Sequence, residues 1–130
     1  MRVLTFGSVP SRLLSELSAA GVEPEAAPTA TREGDGATAE LAAALRAGEQ
    51  ALTGEDVACA LVEGTGDDAL GAALAAVKLG VPTIWLPPAD APPQALLIGR
   101  VADLTVVATD DAAEVADSIR SLAAPKLASP

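Results

Sequence analysis

The sequence has no histidine and no tyrosine, and only one cysteine, one tryptophan and one phenylalanine. Without histidine there is no Ser-His-Asp triad, no Cys-His dyad and no imidazole ligand for zinc or haem. A single cysteine supplies neither a disulfide nor a thiolate cluster. Basic residues are scarce as well: 8 Lys and Arg stand against 18 Asp and Glu, a formal net charge of −10. That charge repels phosphate backbones, and Trp85 and Phe6 leave almost no ring surface for base stacking, so nucleic acid is excluded as a partner. Long apolar runs are also missing. No stretch approaches the roughly 18 apolar residues of a membrane span, and Met1-Arg2-Val3-Leu4-Thr5-Phe6-Gly7 is too short for the apolar part of a secretory leader. The expectation is a soluble, cytoplasmic domain with no membrane partner.

What is present suffices for one small domain. The chain has 130 residues, half of them hydrophobic, but 30 are alanine, and 32 Leu, Val, Ile and Phe remain to build a core. That share, about a quarter, lies above the roughly one-fifth at which chains stay disordered. A domain of this length buries about two-thirds of its unfolded surface and folds without a staple.

The hydrophobic period alternates along the chain. Val3-Leu4-Thr5-Phe6 is a short apolar run ended by Gly7-Ser8 and reads as a buried strand. A helix follows from Pro10, with Leu13, Leu14 and Leu17 on one face and Gly21 as its cap. Val22 to Ala27 reads as a second strand that Pro24 and Pro28 confine to an edge. Residues 28–37 form a loop before an Ala-rich helix from Thr38 to Leu52. Leu41, Leu45 and Leu52 mark the buried side of this helix, and Gly48 is its weak point. Asp56 to Val62 is a central strand, and Asp67 to Leu79 is a helix with Leu70, Leu74 and Val77 at helical spacing. Val81 to Leu86 is a fourth strand. A proline-rich turn then leads to a short helix ending near Val101, a fifth strand over Leu104 to Ala108 and a last helix from Asp110 to Leu122. Residues 1–122 are thus the domain, and 123–130 read as a flexible tail.

Strands alternating with helices predict an α/β domain, a single Rossmann-like three-layer unit with a five-stranded parallel sheet of order 2-1-3-4-5. Ligands in such sheets bind beyond the carboxyl ends of the strands where the order reverses, between strands 1 and 3. That places Gly7, Ser8 and the segment Glu63 to Asp68 at the candidate site. Gly64-Thr65-Gly66-Asp67-Asp68-Ala69 satisfies G-x-G-x-x-A between a strand and a helix, the pattern of a phosphate cradle. The alternative, that Asp67 or Asp68 caps the helix and complements its dipole, is preferred, because two carboxylates would stand where a phosphate should sit.

Glu63, Asp67, Asp68, Asp90, Asp110 and Asp111 all fall near the same edge, and clustered oxygens suit Mg²⁺ or Ca²⁺. Asp110 and Asp111, however, follow Thr109 as an ordinary acidic first turn, and Asp90 sits in a proline loop, so no metal is assigned. A phosphoacceptor receiver domain is rejected because Gly7-Ser8 and Thr109-Asp110 stand where its acidic residues and lysine belong. A flavodoxin is rejected too, since only Trp85 could stack on a flavin. No cofactor is expected. Cys59, inside an apolar strand, reads as a buried, inert thiol.

The opening Met1 to Pro10, the segment Ala60-Leu61-Val62-Glu63-Gly64-Thr65-Gly66-Asp67-Asp68-Ala69-Leu70-Gly71 with Ala72 to Ala76, and Lys78-Leu79-Gly80-Val81-Pro82 resemble the N-terminal domain of the non-hydrolysing UDP-N-acetylglucosamine 2-epimerases. Val101-Ala102-Asp103-Leu104 with Thr109 resembles the stretch that closes the same half-sheet. The resemblance covers most of residues 1–120 and implies a Rossmann-like half of a two-domain, sugar-nucleotide enzyme. The family's Gly-Thr-Arg-Pro-Glu motif has Val9 at its Arg and Ser11 at its Glu. Its His-Gly-Asp-Thr motif has become Glu63-Gly64-Thr65-Gly66, with Thr65 at the carboxylate implicated in proton transfer. Its Val-Glu-Ala-Gly-Leu-Arg turn has become Leu86 to Ala91, with Pro87 at the Glu. The C-terminal domain that supplies most nucleotide contacts in the family has no counterpart among these residues.

Abstraction of a proton beside an acetamido group needs a positioned acid and base, and no catalytic residue is assigned. The expectation is an epimerase-like domain that is inactive and works as a small-molecule-binding or protein-association module. Its candidate ligand is a nucleotide sugar or another phosphorylated small molecule, contacted by Gly7, Ser8, Gly64, Thr65, Gly66, Asp67 and Asp68. Small-residue helix faces make a homodimer a second expectation. The alternative is a split epimerase subunit completed by a partner chain, with Glu63 or Asp67 as the acid-base group.

Overall fold

A parallel strand covered on both faces must be apolar at nearly every position, and three segments of the chain meet that condition. In the computed structural model they are the central strands β1 (Arg2–Phe6), β3 (Cys59–Glu63) and β4 (Thr83–Leu86). The structure describes residues 1–28, 34, 38–53, 56–88, 90–106 and 112–128, with side chains described to residue 123. The edge strands are β2 (Glu23–Ala26) and β5 (Leu104–Thr105), and the sheet order is β2-β1-β3-β4-β5 with every pair parallel. This is the expected α/β order. Pro24 is tolerated in β2 because an edge strand needs ladder donors on one side only. Residues 107–111 lie outside the described residues, and with them the expected end of the fifth strand, Thr109, Asp110 and Asp111.

Alternation along the strands sends side chains to two separate cores. Val3, Cys59, Leu61, Ile84 and Leu86 face α1 (Ser11–Ala19) and α5 (Ala112–Ala128), where they meet Leu13, Leu17, Val115 and Ile119. Leu4, Ala60, Val62 and Trp85 face the other way, toward α2 (Ala39–Leu52), α3 (Asp67–Lys78) and α4 (Leu96–Val101), the last entered through a 3₁₀ turn at Pro93–Ala95. Gly21 and Gly80 follow α1 and α3 as caps, with Val22 and Val81 donating back to the carbonyls of Leu17 and Ala76 at 2.9 Å. No helix among the described residues is long and apolar enough to cross a membrane.

The second face differs from the pattern read in the sequence. Leu41, Leu45, Leu70 and Leu74 are only half-buried, and Val77 is 43% exposed. Leu52 is buried as expected, and the other buried positions are Ala43, Ala44 and Gly48 on α2, and Ala69, Gly71, Ala72, Ala73, Ala75 and Ala76 on α3. The reason is enclosure: α3 packs on the sheet, α2 and α4 together, and only small side chains fit on all those sides. Gly48, expected as a weak point of α2, is a contact point. A Cβ there would lie 2.8 Å from the Ala75 Cβ, and one at Gly71 would lie 2.5 Å from the Ala44 Cβ and 3.1 Å from the Leu41 carbonyl oxygen.

The C-terminal end is a second correction. α5 continues past Leu122 to Ala128, and Ala123 is fully buried, so the residues after Leu122 begin as core helix and not as a tail. Ala116, Ile119 and Ala123 recur at three- and four-residue spacing on one face, which carries the helix and its burial onward.

The seam predicts that Gly71→Ala destabilises the domain, although alanine is the better helix former by about 1 kcal/mol. Overpacking at a backbone contact costs about 1–3 kcal/mol, so the urea midpoint of the variant is expected to fall. A midpoint equal to or above wild type would show that α2 and α3 are not held at this distance.

Candidate functional site

The register brings the two candidate turns together. Phe6 pairs with Val62, so the next residues, Gly7 and Glu63, stand side by side at the carboxyl edge of the sheet. The chain runs from β1 to one edge of the sheet and from β3 to the other, and the crevice between their carboxyl ends is open. At Gly7 the backbone has φ +95°, and a Cβ would stand 2.5 Å from the Glu63 carbonyl oxygen and 2.8 Å from its Oε2. Glycine is therefore required there on both conformational and steric grounds. The next residue, Ser8, donates its backbone N–H to Glu63 Oε2 at 2.7 Å, a short, charge-assisted bond.

The turn after β3 is held from behind. Gly64 has φ +113°, and its carbonyl accepts a 2.8 Å hydrogen bond from Nε1 of the buried Trp85. The indole is in turn pressed against α4, where Gly99 leaves room for it: a Cβ at Gly99 would be 3.0 Å from the ring. Gly66 is the N-cap residue of α3 and supplies no side-chain cap, so Asp67 and Asp68 form an acidic first turn. Asp68 Oδ1 accepts the Ala69 N–H at 2.9 Å. A carboxylate thus meets an end-of-helix donor that a phosphate would otherwise use.

Beyond these turns lies a cleft of about 390 Å³ between the sheet edge, α2 and α3. Of the expected contact residues, Gly7, Ser8 and Asp68 line it, with Glu63 beside them, whereas Gly64, Thr65, Gly66 and Asp67 shape the adjoining turn without lining the cleft. Asp90 is exposed on the loop after β4 and is not among the lining residues. Asp110 and Asp111 lie outside the described residues. Glu40, from the first turn of α2, lines the cleft and was not legible in the sequence. Its only signal was an acidic residue near a helix start, which normally means dipole complementation. Ala43, Ala44, Ala47, Gly48, Ala69 and Ala72 make the apolar walls. The cleft therefore carries three carboxylates, from Glu40, Glu63 and Asp68, and no Lys or Arg among the described residues. No three His, Cys, Asp or Glu side chains among the described residues come together as a metal site.

Cys59 stands at the opposite end of β3 from Glu63 and is fully buried. Burial, aided by the negative charge of Asp103, pushes its thiol from 9.0 up to about 12. It is a core side chain, away from the cleft and protonated throughout the neutral range.

No protein-family model matches the chain, and no curated protein sequence matches it. Solved structures do. The S. aureus MnaA–UDP co-structure is 20% identical, over 90% of this chain and 40% of that one, with a TM-score of 0.63. The UDP-GlcNAc 2-epimerase of Neisseria meningitidis bound to UDP-GlcNAc is 16% identical, over 91% and 43% of the two chains, with a TM-score of 0.67. A further UDP-N-acetylglucosamine 2-epimerase is 15% identical over 91% and 44%, also at 0.67. The chain shares the fold of these proteins and spans about two-fifths of their length, as the resemblance to one half of such an enzyme implied.

Two predictions follow from this geometry. Trp85→Phe removes the indole donor from Gly64, leaving a carbonyl unpaired, and is expected to cost about 1–3 kcal/mol in urea unfolding. Amide shifts in the variant should concentrate at Gly64 to Asp67, and a change spread evenly over the sheet would deny the clamp. Cys59 adds a pH dependence. The unfolded thiol ionises at its ordinary value of 9.0 and burial pushes the folded one up to about 12, so stability falls as pH rises between the two. Cys59→Ala should flatten that fall, and an unchanged slope would rule the thiol out as its source.

Proposed function

We propose that this domain is a non-catalytic binding module built on the Rossmann-like half-fold shared with sugar-nucleotide 2-epimerases, and that its ligand enters the cleft between the β1 and β3 turns. The observation that carries this reading is the cleft itself. It opens where the strand order reverses, which is where parallel sheets bind ligands, and it collects Gly7, Ser8, Glu63 and Asp68 from two separated segments. A mostly apolar wall with a few converging polar groups is the usual build of a small-molecule site.

The ligand class is a nucleotide sugar or a related phosphorylated small molecule. Support comes from the UDP and UDP-GlcNAc in two structures of the same fold. The side chains present do not supply catalytic groups at the matched positions. Val9, Ser11, Thr65 and Pro87 occupy the positions at which the resemblance implies an Arg, a Glu, a proton-transfer carboxylate and a second Glu. Of the three cleft carboxylates, Glu63 and Asp68 are engaged by backbone donors, from Ser8 and Ala69. An acid and a base poised at one substrate carbon are not provided by that arrangement.

A second reading keeps the chemistry and moves it to an assembly. A further polypeptide would bring the remainder of the nucleotide site, with Glu63 or Asp67 as the acid-base group. It draws on the 40–44% of the epimerase chains that this chain spans. Pairing of two copies through the Ala-rich helices is a related expectation; Leu96 and Leu97 of the neighbouring α4 are the most exposed of the large apolar side chains among the described residues.

The test is a two-dimensional amide NMR titration with UDP and UDP-N-acetylglucosamine. Saturable shifts centred on Gly7, Ser8, Glu63 and Asp68 are expected. Silence at those amides with both compounds would remove the binding reading. Turnover of UDP-N-acetylglucosamine by the chain alone would remove the non-catalytic one.

A further inference from the structure

The turn after the first strand of a doubly wound sheet is the usual cradle for a ligand's phosphate, because its backbone N–H groups point into the crevice. In this protein the donor is already engaged. Ser8 N–H is held by Glu63 Oε2 at 2.7 Å, and the same oxygen would be only 2.8 Å from a Cβ on Gly7, so the carboxylate lies directly against the turn. Glu63 is not a stray surface acid. It is half-buried at the end of a central strand, and the pairing of β1 with β3 places it beside Gly7.

We infer that Glu63 is a specificity-determining residue whose carboxylate occupies the oxyanion position of the β1 turn, so that the cleft admits an uncharged, hydrogen-bonding part of a ligand there and turns a phosphate away. The inference rests on the reading of the cleft as a ligand site and adds which chemistry faces this end of it. Three features agree. The donor a phosphate would need is satisfied by a group of the same charge. A phosphate at Ser8 would meet the Glu63 carboxylate at contact distance, where like charges repel strongly. No Lys or Arg among the described lining residues offsets the charges of Glu40, Glu63 and Asp68. An uncharged hydroxyl or amide instead finds a carboxylate that accepts its hydrogen bond without repulsion. A phosphorylated ligand is therefore oriented with its phosphate away from the β1 turn.

The experiment titrates inorganic phosphate, in phosphate-free buffer, into the wild-type protein, Glu63→Ala and Glu63→Gln, reading amide shifts. Glu63→Ala empties the oxyanion position, and Glu63→Gln keeps its shape while removing the charge. The wild-type protein is expected to show no saturable shift at Ser8. Glu63→Ala should bind phosphate with shifts centred on Gly7 and Ser8 and a gain of at least about tenfold, with Glu63→Gln in between. A wild-type protein that binds phosphate at Ser8 as tightly as Glu63→Ala overturns the inference. So does a folded Glu63→Ala, with its amide dispersion kept, that gains nothing. If Glu63→Ala does not fold, Glu63→Gln and the wild-type titration decide on the same criteria. UDP-N-acetylglucosamine is run in parallel on the wild-type protein. Its failure to bind would count against the proposed function alone, because the phosphate arm reads the turn without needing the natural ligand.

Discussion

Two missing side chains set the spacing of one half of the molecule. At Gly48 and Gly71, α2 and α3 meet with backbone against methyl group, and any Cβ added at either point would fall within 3 Å of an alanine methyl on the other helix. Contact this close requires small residues around it, which accounts for the run of buried alanines along α3. It also borders the cleft. Ala43, Ala44, Ala47 and Gly48 on α2 line the cleft together with Ala69 and Ala72 on α3, so the seam that packs the helices also forms one of its walls. A core of this kind gains little from each side chain and depends on fit, since dispersion contacts are lost quickly with small gaps.

The other end of the cleft depends on a single carboxylate. Glu63 closes β3, accepts the Ser8 N–H and forces glycine at position 7, while Trp85 reaches from β4 to hold the carbonyl of Gly64. These bonds tie three neighbouring strands together at their carboxyl ends. Parallel sheets of this order take ligands at that edge. Here its turns are braced by the protein's own groups.

Much of this was legible in the residues. The apolar runs at Val3 to Phe6, Ala60 to Val62 and Thr83 to Leu86 became the three central strands, and Pro24 marked β2 as an edge. Gly7-Ser8 and the turn after Glu63 were placed at the reversal of strand order by topology alone. The leucine stripes of α2 and α3 misled, because a helical pattern assumes that the largest apolar side chains face the core. That holds for a helix with one buried face. It fails for α3, which is enclosed by the sheet and two helices. The end of α5 was misplaced because Pro125 and the polar end of the chain read as a stop, whereas the helix continues to Ala128.

The sequence by itself determined the strand order and the position of the crevice, and it holds no histidine and a single cysteine, because period, punctuation and composition are local properties. Only the tertiary structure decided what stands in the crevice. Glu63 and Ser8 are 55 residues apart, and Glu40 reaches the same cleft from another helix. No local pattern records such meetings, since they depend on strand register and on how closely two helices approach.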